Sequence, residues 1–362
     1  LDMSNKIYSV ITGTGSYIPS KQVTNADFEK YEFFEESGKK IEKPTKEITD
    51  KFFEITTIAE RRYVADDMKT SDLAHLAAEE AIKSANIDKE TLDYIIVANN
   101  FGDTRADNRA ADHVPSLASK VKQKLGIVNP ETVTYDITFG CPGWLQAVIQ
   151  ADYFIKSGDA SKILVIGAEV LSRISDPHDR DCMLYADGAG AVVLEAKEST
   201  KPIGILAHKT RSDTLHHAGL LLMGKSYNPE FEKPDDLFLK MNGRRLYQYA
   251  LETVPQAIKA CLEKSNTDIT EITKVLIHQA NGKMDDAILK RLYALYDIKQ
   301  SPEGVMPMTV GELGNTSVAT LPTLFDLIMK GEMPEHQINK GDKVVFASVG
   351  AGMNINAFVY QA

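Results

Sequence analysis

A chain of 362 residues with 43% hydrophobic and 25% charged residues has the composition of an ordinary globular protein of roughly two domains, which excludes the disordered, collagenous and coiled-coil classes. The formal net charge is −10 and the sequence pI near 5.4. Broad electrostatic adhesion to nucleic acid or to an anionic membrane is thereby disfavoured, and a phosphorylated ligand needs a local basic patch.

No apolar run approaches the ~18 residues of a membrane span and no secretory pattern opens the chain, which predicts a cytoplasmic protein. Leu1 and Asp2 precede Met3 and read as residues left by cloning. The opening strand YSVIT runs into GTGSY, where the third glycine of a dinucleotide fingerprint is missing, so the string reads as a turn. Residues 29–54 are dense in charge with interleaved aromatics, and residues 101–114 are polar and turn-rich. Both are expected to be solvated surface insertions, with a cap over a tunnel mouth as the sharper alternative.

The string AIKSANIDKETLDYIIVANN from Ala81 reads as a helix end, a polar connection and a buried strand. It continues through the β-type stretch TVTYDITF into FGCPGW, the periodic helix LQAVIQADYFIKSG and the apolar strand SKILVIGAEV. ADGAGAVVLEA, from Ala186, leads into a strand and not a helix, so no helix N-terminus is available there for a phosphate. The same order returns from Ala257: AIKACLEKSNTDITEITKVLIHQAN, then ELGNTS, the helix VATLPTLFDLIMKG and the strand DKVVFASVGAG.

This repeat predicts an α/β protein of two similar halves related by a pseudo-two-fold axis, 3–200 and 201–362. Strands apolar on both faces predict mostly parallel sheets covered on both sides, with ligands collecting at the carboxyl ends of the strands. Cys141, His278 and Asn315 then fall around one crevice.

Cys141 precedes a proline that opens a helix, which places the thiol at the positive end of the helix dipole, where thiolate is favoured. Cys182 and Cys261 lack such surroundings and are expected to be inert core residues, Cys261 on an amphipathic helix. The three thiols form no CxxC pair, so neither a disulfide framework nor a zinc site is expected. His278 ends the strand KVLI, where an imidazole can bond to a developing oxyanion or exchange a proton. Asn315 stands where a helix begins, and asparagine is in any case a common N-cap. The glycines of SVGAGMN, from Ser348, let a backbone N–H approach a substrate oxygen.

FGCPGW, DPHDR ending at Arg180, DGAGAVVLE from Asp187, HQAN from His278, GNTS from Gly314 and the terminal VGAGMN, together with the opening ITGTGSYIPSKQVTNADFEK, resemble the β-ketoacyl-acyl-carrier-protein synthase III group of condensing enzymes. The resemblance spans nearly the whole chain in that family's order. It implies a thiolase-like five-layered αβαβα fold of two βαβαβ halves, usually a homodimer, acting on coenzyme A or acyl-carrier-protein thioesters without a metal or redox cofactor. It also implies that Cys141 accepts the acyl group, that His278 and Asn315 bind the malonyl thioester carbonyl, and that the backbone N–H groups of Cys141 and Ala351 hold the oxyanion. Arg180 matches the arginine that contacts the phosphates of coenzyme A or of the carrier's phosphopantetheine.

Several positions depart from the family pattern. The run TDKFFEITTI has neither the Trp nor the Arg that clasp adenine in the family. Lys283 stands where an arginine is expected, which keeps the charge and loses the bidentate fork. Val349 replaces a phenylalanine, and Val114 occupies the place of a bulky residue that reaches across the dimer to close the acyl tunnel; both point to a larger acyl pocket than acetyl requires.

Three decarboxylative or head-to-head variants stay open: a fatty-acid initiation enzyme, a dialkylresorcinol- or quinolone-type enzyme using longer acyl or β-ketoacyl chains, and a non-decarboxylative head-to-head condenser. A non-catalytic partner subunit is the alternative of another class, and such subunits commonly lack the nucleophile. A degradative thiolase needs a second cysteine in the C-terminal glycine loop, which is absent from SVGAGMN. A hydroxymethylglutaryl-coenzyme A synthase needs a catalytic glutamate that no motif supplies.

Overall fold

The computed structural model describes residues 6–362, so Leu1, Asp2 and Met3 lie outside the described residues. In chain order the first half carries β1 (Lys6–Tyr17), β2 (Lys21–Thr24), α1 (Thr45–Thr56), β3 (Glu60–Tyr63), α2 (Thr70–Ala85), β4 (Tyr94–Ala98), α3 (Leu117–Leu125), β5 (Val133–Ile137), α4 (Gly143–Ser157), β6 (Lys162–Val170) and β7 (Asp187–Ser199). The second carries β8 (Gly204–Ser212), α5 (Thr214–His217), β9 (Leu221–Gly224), β10 (Phe238–Met241), α6 (Gly243–Lys264), β11 (Ile272–Ile277), α7 (Gly282–Ala294), α8 (Val310–Leu313), α9 (Thr320–Met329), β12 (Lys343–Gly350) and β13 (Asn354–Gln361).

Local sequence sets the boundaries of the helices that matter. The Ser116 hydroxyl accepts from the Ser119 N–H to cap α3, and Gly126 closes that helix in the left-handed conformation. Asn86 and Gly158 end α2 and α4 in the same way. α9 is buried all round, as a helix between two sheets must be, and its one carboxylate, Asp326, is matched by Lys330 at 3.0 Å and the Ser16 hydroxyl at 2.6 Å.

The packing forms five layers. One sheet has the order β1-β7-β6-β4-β5 and the other β11-β12-β13-β8. α2 and α3 cover the outer face of the first, α6 and α7 that of the second, and α4 and α9 lie between them. In the middle layer Trp144, Phe325 and Phe358 surround Phe346 at ring separations of 6.1, 5.3 and 4.5 Å. Such a core gains from area burial and from the aromatic geometry together.

Two expectations are corrected here. The sheets are mixed: β4 pairs in parallel with β5 and β6, and β11 with β12, whereas β1/β7, β6/β7, β12/β13 and β8/β13 are antiparallel. Burial on both faces explains the apolar runs, and burial carries no information about strand direction. GTGSY is not a turn but the continuation of β1. A Cβ on Gly13 or Gly15 would lie 2.4 Å from backbone atoms of α2, so these glycines let helix and strand backbones touch.

The segment 29–54 is more than a solvated surface insertion. It folds as a cap whose Phe33 and Ile48 join Phe28 and Met183 of the body in a small core, and its helix α1 lies against a large cavity. Arg61 on β3 pins the cap. Its fully buried guanidinium donates to Met183 O at 2.8 Å, Val23 O at 3.2 Å and Asn25 Oδ1 at 2.8 Å, with the Phe28 ring 5.0 Å away.

Candidate active site

The carboxyl ends of β4, β5 and β6 in one sheet and of β11 and β12 in the other open onto a cavity of about 1340 Å³ whose lining includes Cys141, His278, Asn315 and Ala351. That exceeds the roughly 300–1,000 Å³ of common small-molecule pockets. α1 and the β9–β10 hairpin supply apolar walls through Ile48, Phe52, Leu222, Met223, Leu239 and Met241.

Cys141 follows a turn that ends in Gly140, at φ 67°, and precedes Pro142, the N-cap of α4. The glycine loop after β12 lies directly on this turn. A Cβ at Gly350 would stand 2.4 Å from the Cys141 N, and one at Gly140 would stand 2.6 Å from the Ala351 N. Only glycine permits that approach, and it brings the two backbone amides assigned to the oxyanion into one place.

The expectation of a readily formed thiolate is corrected. Burial pushes the Cys141 thiol up to about 11; the Ser317 hydroxyl, which donates to Sγ at 3.4 Å, opposes this, and the nearby Glu169 carboxyl adds to it. Loss of hydration is the largest influence on the thiol at this site.

His278 sits at the end of β11, where its N–H donates to Ala347 O at 2.9 Å. Burial pulls its imidazole down to about 4, so the ring is neutral at pH 7, and Nδ1 has no partner among the described residues. Asn315 is fixed by both backbone groups, its N–H donating to Leu184 O at 2.8 Å and its carbonyl accepting from Ala186 N at 2.9 Å. Its Oδ1 accepts from Ser317 N at 2.8 Å, which leaves the Nδ2 hydrogens as donors. The N-cap habit of asparagine and a donor role thus coexist in one side chain. A neutral imidazole and an amide can both stabilise a developing oxyanion without needing a proton from solvent.

The remaining expected residues divide. Val349 is buried in the cavity wall, and Arg180 lies at the mouth, half-exposed, 3.8 Å from Glu35. Lys283 is exposed in the first turn of α7 and is not part of the cavity lining. Val114 is 87% exposed and likewise lies off the cavity of its own chain. Cys182 and Cys261 are buried, their thiols pushed up by burial, consistent with inert core residues.

Sequence reading missed Asn100, Glu169, Ser317 and Asp181. Asn100 lies between Glu169 and the Gly140 turn. Asp181 lines the cavity beside a buried pair of carboxylates, Asp176 and Asp179, that hold Lys240 at 2.6 and 3.1 Å; burial and then Asp179 push its carboxyl up to about 7. The available signals were a glutamate inside the apolar run VIGAEV and three aspartates in DPHDRD.

A cysteine at a helix start, faced by a neutral histidine, an asparagine and two backbone amides inside a five-layered αβαβα body, defines a thiolase-fold condensing acyltransferase. The 3-oxoacyl-[acyl-carrier-protein] synthase III family model matches residues 135–214, and the model of that family's C-terminal domain matches residues 262–362. The β-ketoacyl-[acyl-carrier-protein] synthase III of Thiobacillus denitrificans is 34% identical over 346 residues, 95% of this chain and 96% of that protein. The 3-oxoacyl-[acyl-carrier-protein] synthase III of Aquifex aeolicus superposes with a TM-score of 0.79 at 29% identity, covering 98% of this chain and 100% of the other. The Thermus thermophilus enzyme gives 0.80 at 30%, covering 98% and 99%. The chain belongs to the β-ketoacyl-acyl-carrier-protein synthase III family.

Proposed function

We propose that this chain transfers an acyl group from a coenzyme A or carrier-protein thioester to Cys141 and then condenses it with a malonyl thioester. In the first step Sγ bonds to the acyl carbon and the donor's thiol leaves with the cysteine proton. The tetrahedral oxyanion is met by the N–H groups of Cys141 and Ala351. In the second, the bond between the malonyl carboxylate and its α-carbon breaks, CO₂ departs, and the enolate oxygen is held by His278 and the Nδ2–H of Asn315. The α-carbon attacks the acyl carbon, the bond to Sγ breaks, a β-ketoacyl thioester is released, and the departing thiolate takes a proton from solvent to restore the Cys141 thiol.

The observation that carries this reading is the convergence of Cys141, His278, Asn315 and Ala351 on one cavity, and the neutrality of His278 fits it. A neutral donor stabilises an enolate, while the low basicity that burial imposes makes it a poor base for the Cys141 thiol. No cofactor is needed for these steps. Arg180 is placed to meet a phosphate at the cavity mouth. Family resemblance favours a homodimer, with Val114 of one protomer facing its partner, and a cytoplasmic enzyme; no helix among the described residues is long and apolar enough to cross a membrane.

A second reading is favoured by the cavity itself. Its size, the apolar walls from α1 and the β9–β10 hairpin, and Val349 in place of a phenylalanine suit a longer acyl donor, as in the secondary-metabolite relatives. Intact-protein mass spectrometry after incubation with thioesters from acetyl to long and β-keto chains tests both readings. A gain mapped to Cys141 is expected, and its dependence on chain length separates an initiation enzyme from a longer-chain relative. No adduct with any donor favours a non-catalytic partner subunit.

A further inference from the structure

Glu169 ends β6 with a fully buried carboxyl that the proposed reaction does not use. Its Oε2 accepts from Asn100 Nδ2 at 2.8 Å, while Oε1 faces the Asn100 N–H at a longer 3.4 Å. Asn100 then reaches the nucleophile by two routes. Its Oδ1 accepts from the Gly140 N–H at 3.0 Å, fixing the Phe139–Gly140 peptide one residue ahead of Cys141. Its Nδ2 also lies 3.4 Å from Ser317 Oγ, and that hydroxyl donates to Cys141 Sγ at 3.4 Å. One carboxyl thus anchors the residue that holds both sides of the thiol.

We propose that Glu169 is a positioning residue for Cys141, holding through Asn100 both the peptide ahead of the thiol and the hydroxyl beside it. This rests on Cys141 being the nucleophile. Preorganisation of this kind matters because a displacement of about 1 Å at a nucleophile costs about a hundredfold in rate.

The charge state of Glu169 gives the arrangement a signature. Burial pushes its carboxyl up to about 8; the hydrogen bonds from Asn100 and from the Phe101 backbone oppose this, and Asp187 adds to it. At neutral pH the group is therefore protonated. The titratable and charged groups around it are Cys141, on the turn ahead of α4, and Asp187 on β7. Asp187 is tied to Ser172 and the Val64 N–H, with Arg173 nearby. Asn100 and Ser317 carry no charge. When Glu169 ionises, its negative charge opposes thiolate formation at Cys141, so the cysteine titrates against a carboxylate that an amide would remove.

The test uses the full chain and two substitutions. Glu169→Gln has the shape of the protonated acid and keeps an acceptor for Asn100 Nδ2. Its acylation at pH 7 is expected to stay within a few-fold of the native rate, while the pH midpoint for alkylation of Cys141 by iodoacetamide moves down. Glu169→Ala leaves Asn100 without its anchor, and acylation is expected to fall about tenfold to a hundredfold in kcat with little change in KM. A Glu169→Gln alkylation profile that superimposes on the native one, or a folded Glu169→Ala variant that acylates at the native rate, overturns the proposal. Alkylation reads the thiol without any thioester, so it decides the role of Glu169 even when no donor acylates the native chain and the functional reading itself fails.

Discussion

Gly140 and Gly314 both take a positive φ, 67° and 64°, Gly314 with an extended ψ of −162°, and each stands immediately ahead of a residue assigned to chemistry, Cys141 and Asn315. From these two glycine turns, one following β5 and the other following α8, the chain delivers two unlike side chains to one cavity. The first turn contributes a thiol ahead of α4 and the second an amide ahead of α9, while β11 adds His278.

Replacing the thiol separates chemistry from folding. Cys141→Ala removes one part-buried sulfur, and the variant is expected to keep its circular dichroism spectrum and to show no mass gain with any acyl thioester. In the native chain, alkylation of Cys141 should be slow at pH 7 and rise by up to about tenfold per pH unit through pH 8–10, because burial keeps the thiol protonated up to about 11. A fast, pH-independent reaction at pH 6–7 would show a preformed thiolate and refute the effect of burial.

His278→Ala is expected to acylate at close to the native rate and to lose decarboxylation of the malonyl thioester by about a hundredfold to a thousandfold, the usual scale for one oxyanion donor. Separate assays of the two half-reactions check this; equal loss in both would make His278 a base for Cys141. The titration of this group has a second consequence. Its folded pKa is lowered to about 4 from 6.5, so the unfolded chain binds a proton that the folded one refuses, and stability falls as pH drops from about 6.5 towards 4. The slope from this one group is at most about 1.4 kcal/mol per pH unit, and His278→Gln should remove it from denaturation curves measured across that window.

The repeat, the five layers and the convergence of Cys141, His278 and Asn315 on one cavity were legible because their signals are local. A glycine-flanked cysteine before a proline, a histidine at a strand end and an asparagine before a helix each announce themselves within six residues. Strand direction was not, since β6 and β7 are buried on both faces whether paired parallel or antiparallel. GTGSY misled because a glycine needed for close approach to α2 looks in sequence like a glycine needed for a turn. Glu169 and Asn100 lie 69 residues apart and meet only when two strands of one sheet pair, so no spacing rule finds them. The cap was obscured by its charged outer face, since only Ile48, Phe52 and their neighbours point to the cavity.

Arg61 ties that cap to the body. Arg61→Met keeps an apolar stem but leaves the carbonyls of Met183 and Val23 without their donor, at an expected cost of about 2–4 kcal/mol. Thermal unfolding should begin at least several degrees lower. Because Phe52 of the cap lines the cavity and lies 5.9 Å from the guanidinium, KM for the acyl donor should rise by more than kcat falls. An unchanged KM would show that the cap holds its place without Arg61.

Val349 offers the sharpest test of donor size. It is buried in the cavity wall on β12, one residue before the glycine that touches the Cys141 amide. Enlarging it to the aromatic residue that the family usually carries fills cavity volume without altering a hydrogen bond. Val349→Phe is expected to slow Cys141 acylation by long-chain thioesters about tenfold or more while leaving acetyl transfer within a few-fold, a scale set by one or two methylenes of mismatch in an apolar pocket. Competition between acetyl and dodecanoyl donors, read by intact mass, measures the ratio directly. A parallel loss with both donors would mean that Val349 borders the path shared by every thioester, and the volume that favours longer chains would then have to lie along α1 and the β9–β10 hairpin.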